Sequence, residues 1–144
     1  ISLGLVGSEM CIRDRYVPAV ISGNLVFTAG QIPLVDGTLM ATGKVGNEIS
    51  AEFAKEIAQR CALNALAAVK SVLGDLSRVK RVVKVVGFVA SAPEFTGQPG
   101  VLNGASELLG HVFGDAGLHA RSAVGVASLP LDAPVEVELI VEFV

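Results

Sequence analysis

The chain predicts an α+β fold of order ββαβαββ, one mixed sheet with two helices on one of its faces. Two stretches, Ser50 to Gly74 and Leu102 to Phe113, place apolar residues at helical spacing. Short runs rich in valine and isoleucine precede, separate and follow them. The closing run alternates cleanly, with Val135, Val137, Leu139, Val141 and Phe143 on one side and Glu136, Glu138, Ile140 and Glu142 on the other. A length of 144 residues suits one domain with a sizeable core.

Taken in order, Tyr16 to Ile21 and Leu25 to Ala29 read as strands joined across Ser22-Gly23-Asn24, polar turn residues between apolar runs. Gln31 to Asn47 reads as loop, punctuated by Pro33, Gly37, Gly43 and Gly46. Ser50 is a good N-cap for the first helix, with Glu52 and Glu56 near the positive end of its dipole. Ile57, Cys61, Asn64, Leu66, Ala68 and Val72 carry its period, and its many alanines suit close packing on a sheet. Valine-rich Arg78 to Ala92 is a long strand and Pro93 to Gly100 a loop. The second helix puts Leu108, Leu109, Val112 and Phe113 on its apolar side. Arg121 to Leu129 and Val135 to Val144 are the last strands, divided by Pro130 and Pro134.

Two helices cover one face of such a sheet, yet the middle strand carries valine at both parities: Val83, Val85 and Val89, and Val82 and Val86. An apolar second face needs a cover, so a homo-oligomer is expected. Light scattering that returns a monomer at micromolar concentration would refute it.

Eleven basic and fourteen acidic side chains give a net charge of −3 with no basic run, which lends an extended electrostatic grip on nucleic acid little support. Mean hydropathy is +0.61, but the most apolar stretch, Val82 to Ala92, is interrupted by Lys84 and is too short to cross a bilayer. No membrane partner is expected. Residues 1–15, ISLGLVGSEMCIRDR, fit neither period nor a signal peptide. Gly4 to Arg15 resembles the in-frame translation of a transposase sequencing adapter, so 1–15 are read as a non-native scar and 16–144 as an N-terminally truncated domain. Setting them aside removes Cys11 and leaves Cys61 alone, which excludes an intramolecular disulfide and points to a reducing, cytoplasmic location.

Most motif templates fail. Gly37 to Lys44 has five residues between its glycines rather than the four of a phosphate loop, and Val45 stands at the Ser/Thr position. His111 and His119 lack the cysteine pair or acidic cluster of a metal site, so no metal is expected; they read as an exposed helix residue and a loop or strand-edge residue. Cys61, mid-helix on an apolar face, reads as a buried inert thiol. No serine has nucleophile-elbow spacing. Arg121 opens a strand after a glycine-containing loop, and Glu136 and Glu138 lie on the polar face of the strand read as its neighbour. Arginine holds carboxylates bidentately and glutamate accepts a proton from water, so Arg121 and Glu136 form either a site or a structural cross-strand pair.

Two segments, Ser22-Gly23-Asn24-Leu25-Val26-Phe27-Thr28-Ala29-Gly30-Gln31-Ile32-Pro33 and Ala120-Arg121-Ser122-Ala123-Val124, resemble the hallmark stretches of the RidA/YjgF family. Gly43-Lys44-Val45-Gly46, Asn103-Gly104-Ala105-Ser106 and Phe113-Gly114 place the chain nearer a divergent branch labelled as YjgF-like endoribonucleases. The resemblance runs from Tyr16 to the end. It implies a chorismate-mutase-like fold, a homotrimer with ligand sites in the clefts between subunits, and no metal or organic cofactor. It also implies hydrolysis of reactive enamine or imine acids, such as 2-aminoacrylate, to 2-keto acids and ammonia. Matched residue by residue, Arg121 grips the substrate carboxylate and Glu136 positions water. Tyr16 and Asn103 line the pocket, Gly30 offers backbone contact, and Ala29 and Ala123 stand where typical members carry serine and cysteine. A metabolite-binding trimer without turnover is the alternative that Ala29 favours; RNA cleavage comes third, against the charge.

Overall fold

The structure, a computed structural model, describes residues 15–144. Residues 1–14, and with them Cys11 and nearly all of the adapter-like segment, lie outside that description.

Strands β1 (Ala19–Ser22) and β2 (Leu25–Thr28) make the first hairpin, closed by Gly23 and Asn24. Gly23 has φ +62°, and glycine at the first of two turn residues gives a turn whose twist matches the strands. β1 begins at Ala19 rather than Tyr16 because Pro18 has no N–H for the ladder; the Pro18 carbonyl accepts from the Ala29 N–H instead. The 31–47 segment, read as loop, contains a small hairpin of β3 (Leu34–Val35) and β4 (Thr38–Leu39). Its Asp36-Gly37 turn, with φ +52° and +83°, is the dipeptide such turns select, but the flanking runs are too short to show a period.

Helix α1 (Ala51–Leu73) starts where expected, with the Ser50 hydroxyl oxygen accepting from the Phe53 N–H, and ends at Gly74 in a left-handed conformation. β5 (Val79–Ala90) follows, and α2 (Gln98–Phe113) begins earlier than its apolar period suggests. Pro99 sits in its first turn, where a missing N–H breaks no helical bond. β6 (Ala120–Val126) and β7 (Val135–Phe143) close the order, and β6 stops well before Leu129.

The five long strands pair as β1-β2-β7-β5-β6, with β5 and β6 parallel and all other neighbours antiparallel. Both helices lie on the face presented by Val82, Val85, Val89, Val135, Val137, Leu139 and Val141, all buried. A register shift between Val82 and Lys84 brings Val82 and Val85 onto one face, correcting the opposite parities expected of them. The other face carries Val20, Phe27, Lys84, Val86, Phe88, Val124, Glu136, Glu138 and Ile140 by register. Val20 and Val124 there are 57% and 46% exposed.

The helices meet closely because α1 is lined with alanine and α2 turns Gly104 toward it. Along α2 the buried positions are Val101, Leu102, Gly104, Ala105 and Leu109. Val112, expected on the apolar side, is instead 44% exposed. Cys61 is buried against the Val135 carbonyl, and burial pushes its thiol well above the usual range. A maleimide is therefore expected to leave the Cys61 peptide unmodified in the native protein and to label it on unfolding, by mass mapping. No helix among the described residues is long and apolar enough to cross a membrane.

Candidate functional site

The residues singled out in the sequence gather at two places. The first is a cleft of about 440 Å³ where the chain leaves β2, lined by Tyr16, Pro18, Ala29, Gly30, Ile32, Pro130, Leu131 and Glu136. The Gln31 N–H and carbonyl both bond Val137, so Gly30 lies directly over Glu136. A Cβ at position 30 would collide with the Glu136 carboxylate, so only glycine lets that side chain occupy the cleft. Leu131 and Asp132 adopt left-handed backbone, φ +61° and +59°, held by Gly43 N–H donating to the Asp132 carbonyl and by a Lys44–Asp132 ion pair at 3.2 Å. This presents Leu131, 72% exposed, at the mouth of an otherwise mostly apolar wall.

Glu136 is half-buried, and desolvation first, then the neighbouring charge of Glu138, raises its carboxyl above the ordinary glutamate range. If Glu136 accepts a proton from water, activity falls as pH drops through its titration. Glu138→Gln removes the repulsion, so the acid limb of the pH–rate profile is expected to move to lower pH, and an unmoved or raised limb would contradict the assignment.

The second place is on the opposite face of the sheet. Arg121 pairs in register with buried Val85, which itself pairs with buried Leu139, so its side chain turns toward the helices. There Arg121 Nη1 donates to Asn103 Oδ1 at 2.9 Å and to Ser106 Oγ at 3.1 Å. Asn103 and Ser106 are one helical turn apart on α2 and share a face. Ser106 Oγ lies 2.9 Å from His119 Nε2, and His119 Nδ1 lies 2.6 Å from the Gly117 carbonyl. Gly117 can approach because a Cβ there would strike the backbone of Leu109. Ala123, two residues on, shares Arg121's face and packs on the core.

Two sequence-based expectations are corrected here. β6 and β7 are not neighbours, since β5 runs between them, and Arg121 and Glu136 point from opposite faces. The structural cross-strand pair is therefore excluded. Within one chain Tyr16, Ala29, Gly30 and Glu136 come together, and Arg121, Asn103 and Ala123 come together, but the two groups do not meet. None of the ion pairs among the described residues involves Arg121, whose Nε and Nη2 edge has the planar spacing of a carboxylate. Ser106 and His119 were not picked out as site residues. Their signals were the three-residue spacing of Asn103 and Ser106 and the same-side placement of His119 and Arg121. No group of three or more His, Cys, Asp or Glu converges as a metal site among the described residues.

Comparison with known proteins gives a consistent picture. The family model described as YjgF/chorismate mutase-like, putative endoribonuclease matches residues 3–143. Protein TCP17 of Trypanosoma cruzi is 47% identical over 129 residues, covering 89% of this chain and 81% of that protein. The crystal structure of Atu1372, a protein of unknown function from Agrobacterium tumefaciens, is 51% identical with TM-score 0.89, over 90% of this chain and 82% of that one. E. coli TdcF with bound serine is 25% identical with TM-score 0.60, over 90% and 88% of the two chains.

Proposed function

Because the chain belongs to the YjgF/chorismate mutase-like family, we propose that it hydrolyses small enamine or imine acids, of the 2-aminoacrylate type, to 2-keto acids and ammonia. The observation that carries this reading is Arg121, held by two neutral acceptors with no carboxylate partner among the described residues and its carboxylate-matching edge unused. An arginine so prepared suits a monoanionic ligand. The bound serine of TdcF is such a small carboxylate with a nitrogen on its α carbon.

Arg121 and Glu136 act together only across a subunit boundary, since one chain turns them apart. The open sheet face, with Val20, Phe27 and Val124 exposed, supplies the surface for a cytoplasmic homotrimer. Arg121 of one subunit then holds the substrate carboxylate at the mouth of its neighbour's Glu136 cleft. Asn103 braces that arginine, and Tyr16, Ala29 and Gly30 wall the cleft. Water adds to the carbon of the protonated imine while Glu136 takes its proton; Glu136 then returns that proton to the carbinolamine nitrogen, and ammonia leaves as the hydroxyl gives up its proton to form the ketone. The step uses no metal or organic cofactor. Val124→Asp is expected to convert the trimer to monomer in light scattering, and a wild-type monomer would contradict the assembly.

RNA cleavage, named in the family description, is not favoured: the net charge is −3 and the Glu136 cleft is apolar and acidic. Binding without turnover is the second reading, supported by Ala29, which gives the cleft no hydroxyl. Release of 2-keto acid from 2-aminoacrylate generated enzymatically in situ, beside Arg121→Ala, separates the two. Acceleration lost in the variant supports hydrolysis; none from a folded oligomer shifts the assignment to binding.

A further inference from the structure

Behind Arg121 lies a chain of hydrogen bonds whose polarity, for a neutral His119 ring, follows from the Gly117 carbonyl. A carbonyl only accepts, so at 2.6 Å from the Gly117 oxygen His119 Nδ1 carries a proton and donates it. In the neutral ring Nε2 is then a bare lone pair. It lies 2.9 Å from Ser106 Oγ, which must donate its single proton there. Only the oxygen's lone pairs remain for the other side, and these accept from Arg121 Nη1 at 3.1 Å. The Asn103 oxygen accepts from the same nitrogen.

We propose that Ser106 and His119 are positioning residues: His119 aims the Ser106 hydroxyl so that Ser106 locks Arg121 with its Nε and Nη2 edge turned to the ligand carboxylate. This rests on the reading of Arg121 as the carboxylate grip. Without the histidine acceptor, a helical serine turns its proton to a backbone carbonyl one turn back, and its lone pair leaves the arginine. Arg121 would then swing among rotamers and lose its alignment on binding. Gly117 and the three-residue spacing of Asn103 and Ser106 serve the same end, one placing the histidine and the other setting two acceptors at one nitrogen.

The test is the affinity for 2-oxobutanoate, a monocarboxylate of the product class, measured by calorimetry on the full chain. Ser106→Ala and His119→Ala are each expected to weaken binding about fivefold to tenfold. Ser106→Thr, which keeps the hydroxyl, is expected to bind like the unaltered protein. In an Arg121→Ala background, Ser106→Ala is expected to add nothing, because it acts through the arginine. Wild-type affinity in Ser106→Ala, or an equal loss with and without Arg121, overturns the relay while leaving the arginine's role intact. Unchanged affinity in Arg121→Ala alone overturns both. Nitrogen-15 spectra of the unaltered protein give an answer free of folding effects: a protonated Nδ1 with an unprotonated Nε2 at His119 is expected, and the reverse tautomer contradicts the proposal.

Discussion

Arg121→Ala is expected to lower kcat/KM for a 2-imino acid by at least about 100-fold, the worth of two charge-assisted hydrogen bonds at roughly 3 kcal/mol. Arg121→Lys should recover only a small part of it. Lysine keeps the charge but is a point donor on a flexible stem, and cannot satisfy Asn103 Oδ1 and Ser106 Oγ while offering a planar edge outward. Most of the loss should fall on KM if the arginine only binds. A fall in kcat as well would show that it also aligns the imine carbon with the water. The thermal midpoint of either variant should change little, since the guanidinium is only part-buried and unpaired with any acid among the described residues. A lysine variant as active as the unaltered protein would rule out a bidentate grip.

The largest effect on stability is expected at Gly104. A Cβ there would strike the backbone carbonyl of Lys55 on α1, and backbone inside a packed helix pair cannot give way as a flexible side chain does. Gly104→Ala should therefore force the helices apart and cost about 3 kcal/mol, lowering Tm by roughly 10 °C. Gly110 lies in the same helix with nothing within 4 Å of a Cβ. Gly110→Ala should instead stabilise by up to about 1 kcal/mol, because alanine loses less backbone freedom on folding. Opposite signs at two glycines of one helix separate helix propensity from helix approach. Because Asn103 and Ser106 flank Gly104, the destabilised variant should also bind carboxylates less well.

The parts of this fold written in periodicity were legible. β7 shows its alternation residue by residue, and α1 announces both ends through Ser50 and Gly74. What escaped was set by contacts distant in sequence. That β5 separates β6 from β7 is a matter of strand order, on which neither strand's own pattern bears. The bulge at Val83 reassigns the faces of β5, yet it shows only against the register of β7. The start of α2 at Gln98 was hidden by a Pro-Gly pair that reads as loop, and the 34–39 hairpin by its brevity. The site divides in the same way. Arg121, Glu136 and their pocket neighbours were identified by resemblance, but their separation onto two faces required the sheet. Ser106 and His119 became visible only when α2 and the 117–119 loop were brought to one arginine.

If one reaction site is assembled from Arg121 of one subunit and Glu136 of the next, subunits defective in either residue restore each other's activity in mixed trimers. Arg121→Ala and Glu136→Gln proteins, each inactive alone, would be unfolded together in equal amounts, refolded, and assayed for 2-keto acid release. In randomly mixed trimers about a quarter of the interfaces join an intact Arg121 to an intact Glu136, so about a quarter of the unaltered activity should return. Mixed trimers confirmed by mass spectrometry that remain inactive would contradict a shared site.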